Sequence, residues 1–178
     1  RDSLEAEPPR CSVSVAHVVG ARFLGQINGL REGIVHVALE CRLPGLAAWG
    51  RVRDWRLLQI AKLPDVQLYL ESQMTPDTLA EFEADHVVLA TGSSWRRDGV
   101  ARHHTRPIPI AGNADVLTPD DILDGKRPKG KDLVIYDDDH YYMGGVIAEL
   151  LRKEDCAVTL VTPCYLVLSF TKASLEQH

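Results

Sequence analysis

Hydrophobic and polar positions along this chain alternate in short blocks, and the clearest succession lies in Lys131–Pro163 (KDLVIYDDDHYYMGGVIAELLRKEDCAVTLVTP). An apolar run, Leu133–Tyr136, leads into a loop. A helical pattern follows from about Tyr142 to Lys153, and a second β-rich run covers Ala157–Thr162. Strand, turn, helix and strand in that order predict a βαβ unit with parallel strands, as in nucleotide-binding folds.

The same reading extends upstream. Ser12–Val19 alternates well enough to be a strand, whereas Gly20, Gly25, Gly29 and Gly33 predict irregular structure after it, at a spacing that is not GxGxxG. The turn signal Leu43-Pro44-Gly45-Leu46 precedes an amphipathic helix from about Trp49 to Leu63. Val52, Leu57, Ile60 and Ala61 fill its apolar side, and Trp49 and Trp55 are expected in the core. Val66–Leu70 reads as a short strand. Thr75-Pro76-Asp77 and Thr118-Pro119-Asp120 each place Thr at an N-cap and Pro at the first helical position. They predict helices over Pro76–Phe82 and Pro119–Leu123. His86–Ala90 (HVVLA) is a continuous apolar run, as in a strand buried on both faces of a parallel sheet. Residues 93–115 form a long connection, and Lys126–Lys131 (KRPKGK) reads as a solvated basic turn.

The loop after Tyr136 changes the picture. A dinucleotide site needs glycines there, so that backbone N–H groups can approach a pyrophosphate at the helix N-terminus. This loop holds Asp137, Asp138, Asp139 and His140, with Gly144 and Gly145 only later. Three carboxylates repel a phosphate. They are expected instead to cap the helix at its positive end. The pair Asp137 and Asp139 also suits a Mg²⁺-dependent phosphatase, with Asp137 as nucleophile and Asp139 as acid/base. His103 and His104 are adjacent, make a poor metal pair and read as a surface loop. Tyr141 and Tyr142 are expected to pack between lobes. No Ser/His/Asp or Cys/His grouping stands out, so neither a catalytic nor a metal-binding set is expected.

Composition narrows the partners. The 178 residues suit one domain or two small ones, and a formal net charge of −5 argues against a nucleic-acid or anionic-membrane surface. No apolar run reaches the roughly 20 residues needed to span a bilayer. Cys11, Cys41, Cys156 and Cys164 show no CxxC spacing, which fits reduced cysteines in a cytoplasmic protein. The charged start, RDSLEAEPPR, has no signal-peptide core and no initial Met, which suggests a processed, excised or truncated product.

The strand ending in Ala90-Thr91-Gly92 followed by a new βαβ is an order shared with flavin-dependent pyridine-nucleotide oxidoreductases. Leu43–Leu63, Ala84–Arg97, Pro107–Asp124, Leu133–Pro163 and the tail Ser169–His178 together resemble the C-terminal part of the trimethylamine/dimethylamine dehydrogenase family. Histamine dehydrogenase and N-methylproline demethylase-like enzymes belong to the same group. The resemblance covers residues 34–178. Asp139, Tyr141 and Met143 stand in positions similar to the family's pattern, in which the second βαβ commonly lacks the glycine fingerprint and serves as a scaffold.

The resemblance implies a larger parent, with a TIM barrel carrying FMN and the amine site, a 4Fe–4S cluster, and a two-lobed region able to hold FAD or ADP. This chain lacks the barrel, the cluster cysteines and the first glycine-rich turn. The expected fold is therefore α/β, a Rossmann-like three-layer parallel sheet in two partial FAD/NAD(P)-binding-type lobes. Residues 1–33 form a divergent segment, 34–125 the remnant of the first lobe and 126–178 the start of the second. FMN and 4Fe–4S belong to regions outside this chain. Ala90, Thr91 and Gly92 are the expected cofactor neighbours, where a missing side chain lets backbone approach a ligand, with Trp95 as a cofactor lip. The implied role is support of cofactor binding and electron transfer in an amine dehydrogenase or demethylase. The implied partner is the rest of that flavoenzyme or an electron-transfer protein. A non-catalytic interaction module on the same fold is the alternative.

Overall fold

The computed structural model describes residues 14–18, 23–27, 37–69, 75–82, 84–90 and 93–172. The chain divides into two compact units, one of residues 1–38 and 50–93, the other of 39–49 and 94–178.

The first unit holds a four-stranded sheet in the order β3-β1-β2-β4, with β1 at Ser14–Val18, β2 at Phe23–Ile27, β3 at Val66–Tyr69 and β4 at His86–Ala90. β1 runs antiparallel to both β2 and β3, and β2 runs parallel to β4. The expected irregular structure after Val19 is thus corrected by β2. Its glycine, Gly25, is paired on both sides, with Ala16 and with Val88. Ladder hydrogen bonds from two neighbours outweigh the weak strand preference of one glycine. β4 is also a correction: it lies at the end of the strand order, and Val87 and Val88 are exposed, so it is not buried on both faces.

Helix α1, Trp49–Ala61, forms where the apolar spacing put it, but none of its residues is buried. Trp49, Trp55 and Leu58 are 49%, 59% and 61% exposed, which overturns the core assignment of the two tryptophans. Arg51, Arg53, Asp54 and Arg56 are interleaved with the apolar residues. Apolar side chains therefore spread around the helix rather than forming one stripe. Helix α2, Pro76–Glu81, begins as its sequence dictates: Thr75 Oγ1 accepts from the Thr78 N–H at 3.2 Å, and the Thr75 N–H donates to Thr78 Oγ1 at 2.8 Å.

The second unit is built on two parallel strands, β5 (Asp132–Tyr136) and β6 (Ala157–Val161), joined by helix α4 (Met143–Lys153). Met143, Ile147 and Leu151 recur every four residues along α4, and all three are buried. They meet Leu43, Leu46, Cys156, and Ile122 and Leu123 of helix α3 (Pro119–Leu123). Leu133 and Ile135 of β5 and Val158 of β6 close the cluster. Each fully buried aliphatic side chain contributes about 1.5–3 kcal/mol. Only one face of this pair of strands is covered: Val134, on the other face, is 72% exposed. The expected third layer is absent over β5 and β6 among the described residues. What is present is an α/β unit with a small parallel sheet.

Residues 93–115 contain neither helix nor strand, as their composition implied. The basic run 126–131 is not a free solvated turn. Lys126 pairs with Asp121 at 2.6 Å, Arg127 Nε reaches both oxygens of Glu154, and Lys131 Nζ donates to the Glu154 carbonyl at 2.7 Å. Arg127 and Lys131 thus sit at the C-terminus of α4, where the helix dipole favours positive charge. Among the described residues no helix is long and apolar enough to cross a membrane.

Candidate functional site at the carboxyl edge of β5 and β6

Parallel strands bring their carboxyl ends to one edge, where open α/β sheets bind ligands. Tyr136 of β5 lies opposite Val161 of β6, and the Asp137 N–H donates to the Val161 carbonyl at 2.8 Å. The next few residues of each strand are thereby set side by side: Asp137–His140 on one, Thr162–Cys164 on the other.

His140 is the centre of this edge. It is the largest fully buried side chain among the described residues, and it adopts φ 66°, a left-handed conformation that His tolerates better than most residues. Its Nδ1 lies 3.3 Å from Thr162 Oγ1, which also accepts the Cys164 N–H at 3.2 Å. Its Nε2 faces three groups: Asp138 Oδ1 at 3.2 Å, His103 Nδ1 at 3.2 Å and Cys164 Sγ at 3.7 Å. His103 also bonds Asp138 through its ring, and its backbone N–H donates to Asp138 Oδ2 at 2.8 Å. Phe170 packs edge-on against His140, and the Arg102 guanidinium lies 4.9 Å from the Phe170 ring centroid. Beside them, Tyr136 Oη and His104 Nδ1 are 2.6 Å apart.

The three carboxylates have three separate environments. Burial pushes Asp138 up, but the His103 backbone N–H, the His103 ring and the nearby His140 outweigh it and hold the group below the ordinary carboxylate range. Asp139 is pushed up, first by burial and then by the charge of Asp137. Tyr136 is raised by burial and by the Asp138 charge. Asp137 Oδ1 accepts the N–H groups of Asp139 and His140, both at 3.2 Å, whereas Oδ2 is buried with no hydrogen-bond partner.

Two expectations for this loop are thereby corrected. The carboxylates do not cap α4, whose N-cap is Tyr142 with no side-chain cap hydrogen bond. Asp137 and Asp138 instead hold the loop that precedes it. The phosphatase arrangement finds no support either, because Asp137 is buried as a turn acceptor rather than presented to a phosphoryl group. Gly144 and Gly145 serve packing. A Cβ on Gly144 would lie 2.9 Å from Asp137 Cγ, and one on Gly145 would lie 2.8 Å from Leu168 Cδ1. The junction of β5 and α4 therefore does not fit a pyrophosphate.

The residues singled out as cofactor neighbours fall elsewhere. Ala90 is the last residue of β4, and Thr91 and Gly92 lie outside the described residues. Trp95 belongs to the second unit, 38% exposed, with its N–H donated to Asp120 Oδ2 at 2.8 Å. His103 and His104 are not an uncommitted surface pair, since both reach the β5 edge. Tyr141 is half exposed against Phe170, and Tyr142 packs on the core of the second unit. Cys41, Cys156 and Cys164 are free thiols. No four-cysteine set for an iron–sulfur cluster occurs among the described residues.

Residues 117–177, which include His140 and Cys164, match the family described as OYE-like second alpha/beta domain. Dimethylamine dehydrogenase from Hyphomicrobium sp. (strain x) is 37% identical over 129 residues, 68% of this chain and 18% of that protein. The structure of histamine dehydrogenase from Rhizobium sp. 4-9 superposes with a TM-score of 0.73 at 50% identity, over 80% of this chain. The chain belongs to the flavoprotein amine dehydrogenase family. A third member of this group, 6-hydroxypseudooxynicotine amine oxidase from Pseudomonas geniculata N1, matches with a TM-score of 0.72 at 47% identity, over 79% of this chain. The chain spans about a fifth of each relative: 18% of the dimethylamine dehydrogenase, 22% of the histamine dehydrogenase and 21% of the amine oxidase. Both βαβ strands and His140 thus lie in the stretch that matches the OYE-like second alpha/beta domain.

Proposed function

We propose that this chain is a supporting region of an amine dehydrogenase or demethylase. It binds a nucleotide or holds the assembly for electron transfer, and the bond-breaking step occurs in other parts of the enzyme. The observation that carries this reading is the 50% identity to histamine dehydrogenase at a TM-score of 0.73, over 80% of the chain but only 22% of that enzyme. The exposed apolar residues agree with it. Trp55 and Leu58 on α1 and Val134 on β5 are surfaces that further protein would bury. FMN and a 4Fe–4S cluster belong, on this reading, to those further parts.

The nucleotide is FAD or ADP, in a Rossmann-like first lobe, with Ala90, Thr91 and Gly92 as its nearest neighbours. The second lobe, with carboxylates where glycines would be, is a scaffold. The partner is the remainder of the flavoenzyme or an electron-transfer protein.

Calorimetric titration of the chain with ADP and with FAD tests this. Saturable binding of one of them, weakened at least about tenfold (about 1.4 kcal/mol) by Gly92→Val, is the expected result. No heat with either nucleotide assigns the region to assembly alone, as an interaction module on a nucleotide-type fold.

A further inference from the structure

Three segments far apart in sequence meet here: the 93–115 connection at His103, the loop after β5 at His140, and the loop after β6 at Cys164. We propose that His103 Nδ1, His140 Nε2 and Cys164 Sγ form a three-residue zinc site that fastens these segments together. The proposal goes beyond the supporting role argued above and does not depend on it.

The spacing of the donor atoms carries the inference. Zinc binds imidazole nitrogen at about 2.0–2.1 Å and thiolate sulfur at about 2.3 Å in a tetrahedron, which sets N···N edges near 3.3 Å and N···S edges near 3.6 Å. Here His140 Nε2 lies 3.2 Å from His103 Nδ1 and 3.7 Å from Cys164 Sγ, and the three donor atoms all fall within 4.8 Å of one another. Asp138 stays outside this triangle and accepts from the His103 ring and backbone, so it orients that ligand rather than completing the tetrahedron, whose fourth corner is left to water.

The surroundings favour coordination over a simple hydrogen-bonded cluster. With Thr162 Oγ1 accepting from His140 Nδ1–H, the Nε2 lone pair is left for a cation, which is the usual way a ligating histidine is oriented. Thr162 and the Cys164 backbone are joined as well, so one hydroxyl orients the ring and fixes the loop that carries the sulfur. A donor set of two imidazoles and a thiol suits zinc and not the oxygen-preferring Mg²⁺ or Ca²⁺. His103, with a side chain 43% exposed, leaves a way in for the ion. In the competing arrangement, Asp138 simply accepts from both histidines and Cys164 has no role. That arrangement gives no metal affinity.

The test uses the full chain, stripped with a chelator and titrated with Zn²⁺ against a chromophoric indicator, and with Co²⁺ as a spectroscopic probe. One equivalent of zinc should bind, with His103→Ala and Cys164→Ser each weakening it at least tenfold and Cys41→Ser leaving it unchanged. The Co²⁺ adduct should show four-coordinate visible bands and a thiolate charge-transfer band that Cys164→Ser removes. If Cys164→Ser fails to fold, His103→Gln on the half-exposed ligand decides in its place. No stoichiometric binding, equal affinity in His103→Ala and the parent chain, or a Co²⁺ adduct without the thiolate band would each overturn the site.

Discussion

Replacing His140 with Ala lowers the thermal midpoint of the chain by about 6–12 °C in metal-free buffer, the largest loss expected from any single change here. The ring is fully buried and bonded through both nitrogens. Its removal strips a partner from Asp138 and Thr162 and leaves a cavity beside Phe170. Together these cost about 3 kcal/mol, and each kcal/mol corresponds to about 2–4 °C in a chain of this size. The backbone adds to the loss, because Ala is less at ease than His at φ 66°. His140→Asn, which tolerates that conformation, should lose less. Near-ultraviolet circular dichroism, read through the Tyr-rich edge around Tyr136 and Tyr141, gives the measurement. A shift of less than about 2 °C would contradict the network described here.

Asp121→Ala is the second large effect, about 2–3 kcal/mol at neutral pH. This buried carboxylate closes the capping box of α3: the Thr118 N–H donates to Asp121 Oδ2 at 2.9 Å. It also pairs with Arg97 at 2.6 Å and with Lys126 at 2.6 Å. The loss of a cap and of charge-assisted bonds sets the magnitude. It stays below the 3–5 kcal/mol of a fully buried broken pair, because the side chains of Arg97 and Lys126 are 53% and 60% exposed and rehydrate. The Arg97 guanidinium, against the opposing effect of burial and with help from Lys126 and Thr118, holds Asp121 far below the ordinary carboxylate range. A carboxyl depressed in the folded state stabilises fully above its unfolded value, near pH 4, and loses that contribution as the pH falls further. Urea denaturation of both proteins from pH 7 downward should therefore show a gap that is constant above about pH 4 and closes below it. A gap that widens in acid would reverse the assignment.

The elements themselves were largely written in local pattern. Thr-Pro-Asp at 75–77 and at 118–120 gave both capped helices, and the helical pattern from about Tyr142 to Lys153 gave α4. Where a partner decides the outcome, local pattern was silent. β2 exists because β1 and β4 flank it, despite Gly25. The exposure of Trp49 and Trp55 depends on which other surfaces are present, which apolar spacing cannot reveal.

The His140 edge was missed for a related reason. His103, Asp138, His140 and Cys164 have no motif spacing; strand register brings the last three together, and the 93–115 connection brings His103 to them. Part of it was nevertheless readable. Asp138 and His140 follow the end of one predicted strand, and Thr162 ends the next with Cys164 two residues on, so a parallel pairing places them side by side. His103 had no such marker, since the path of a 23-residue connection is set by tertiary contacts such as the Arg97–Asp121 pair.

The most direct test of the supporting role is the intact mass and visible spectrum of the native gene product, purified from its own cell. A product several times larger than 19.7 kDa with a flavin absorbance band is the predicted result, placing this chain within a complete amine dehydrogenase. A product near 19.7 kDa without flavin would contradict it and leave an orphaned binding module.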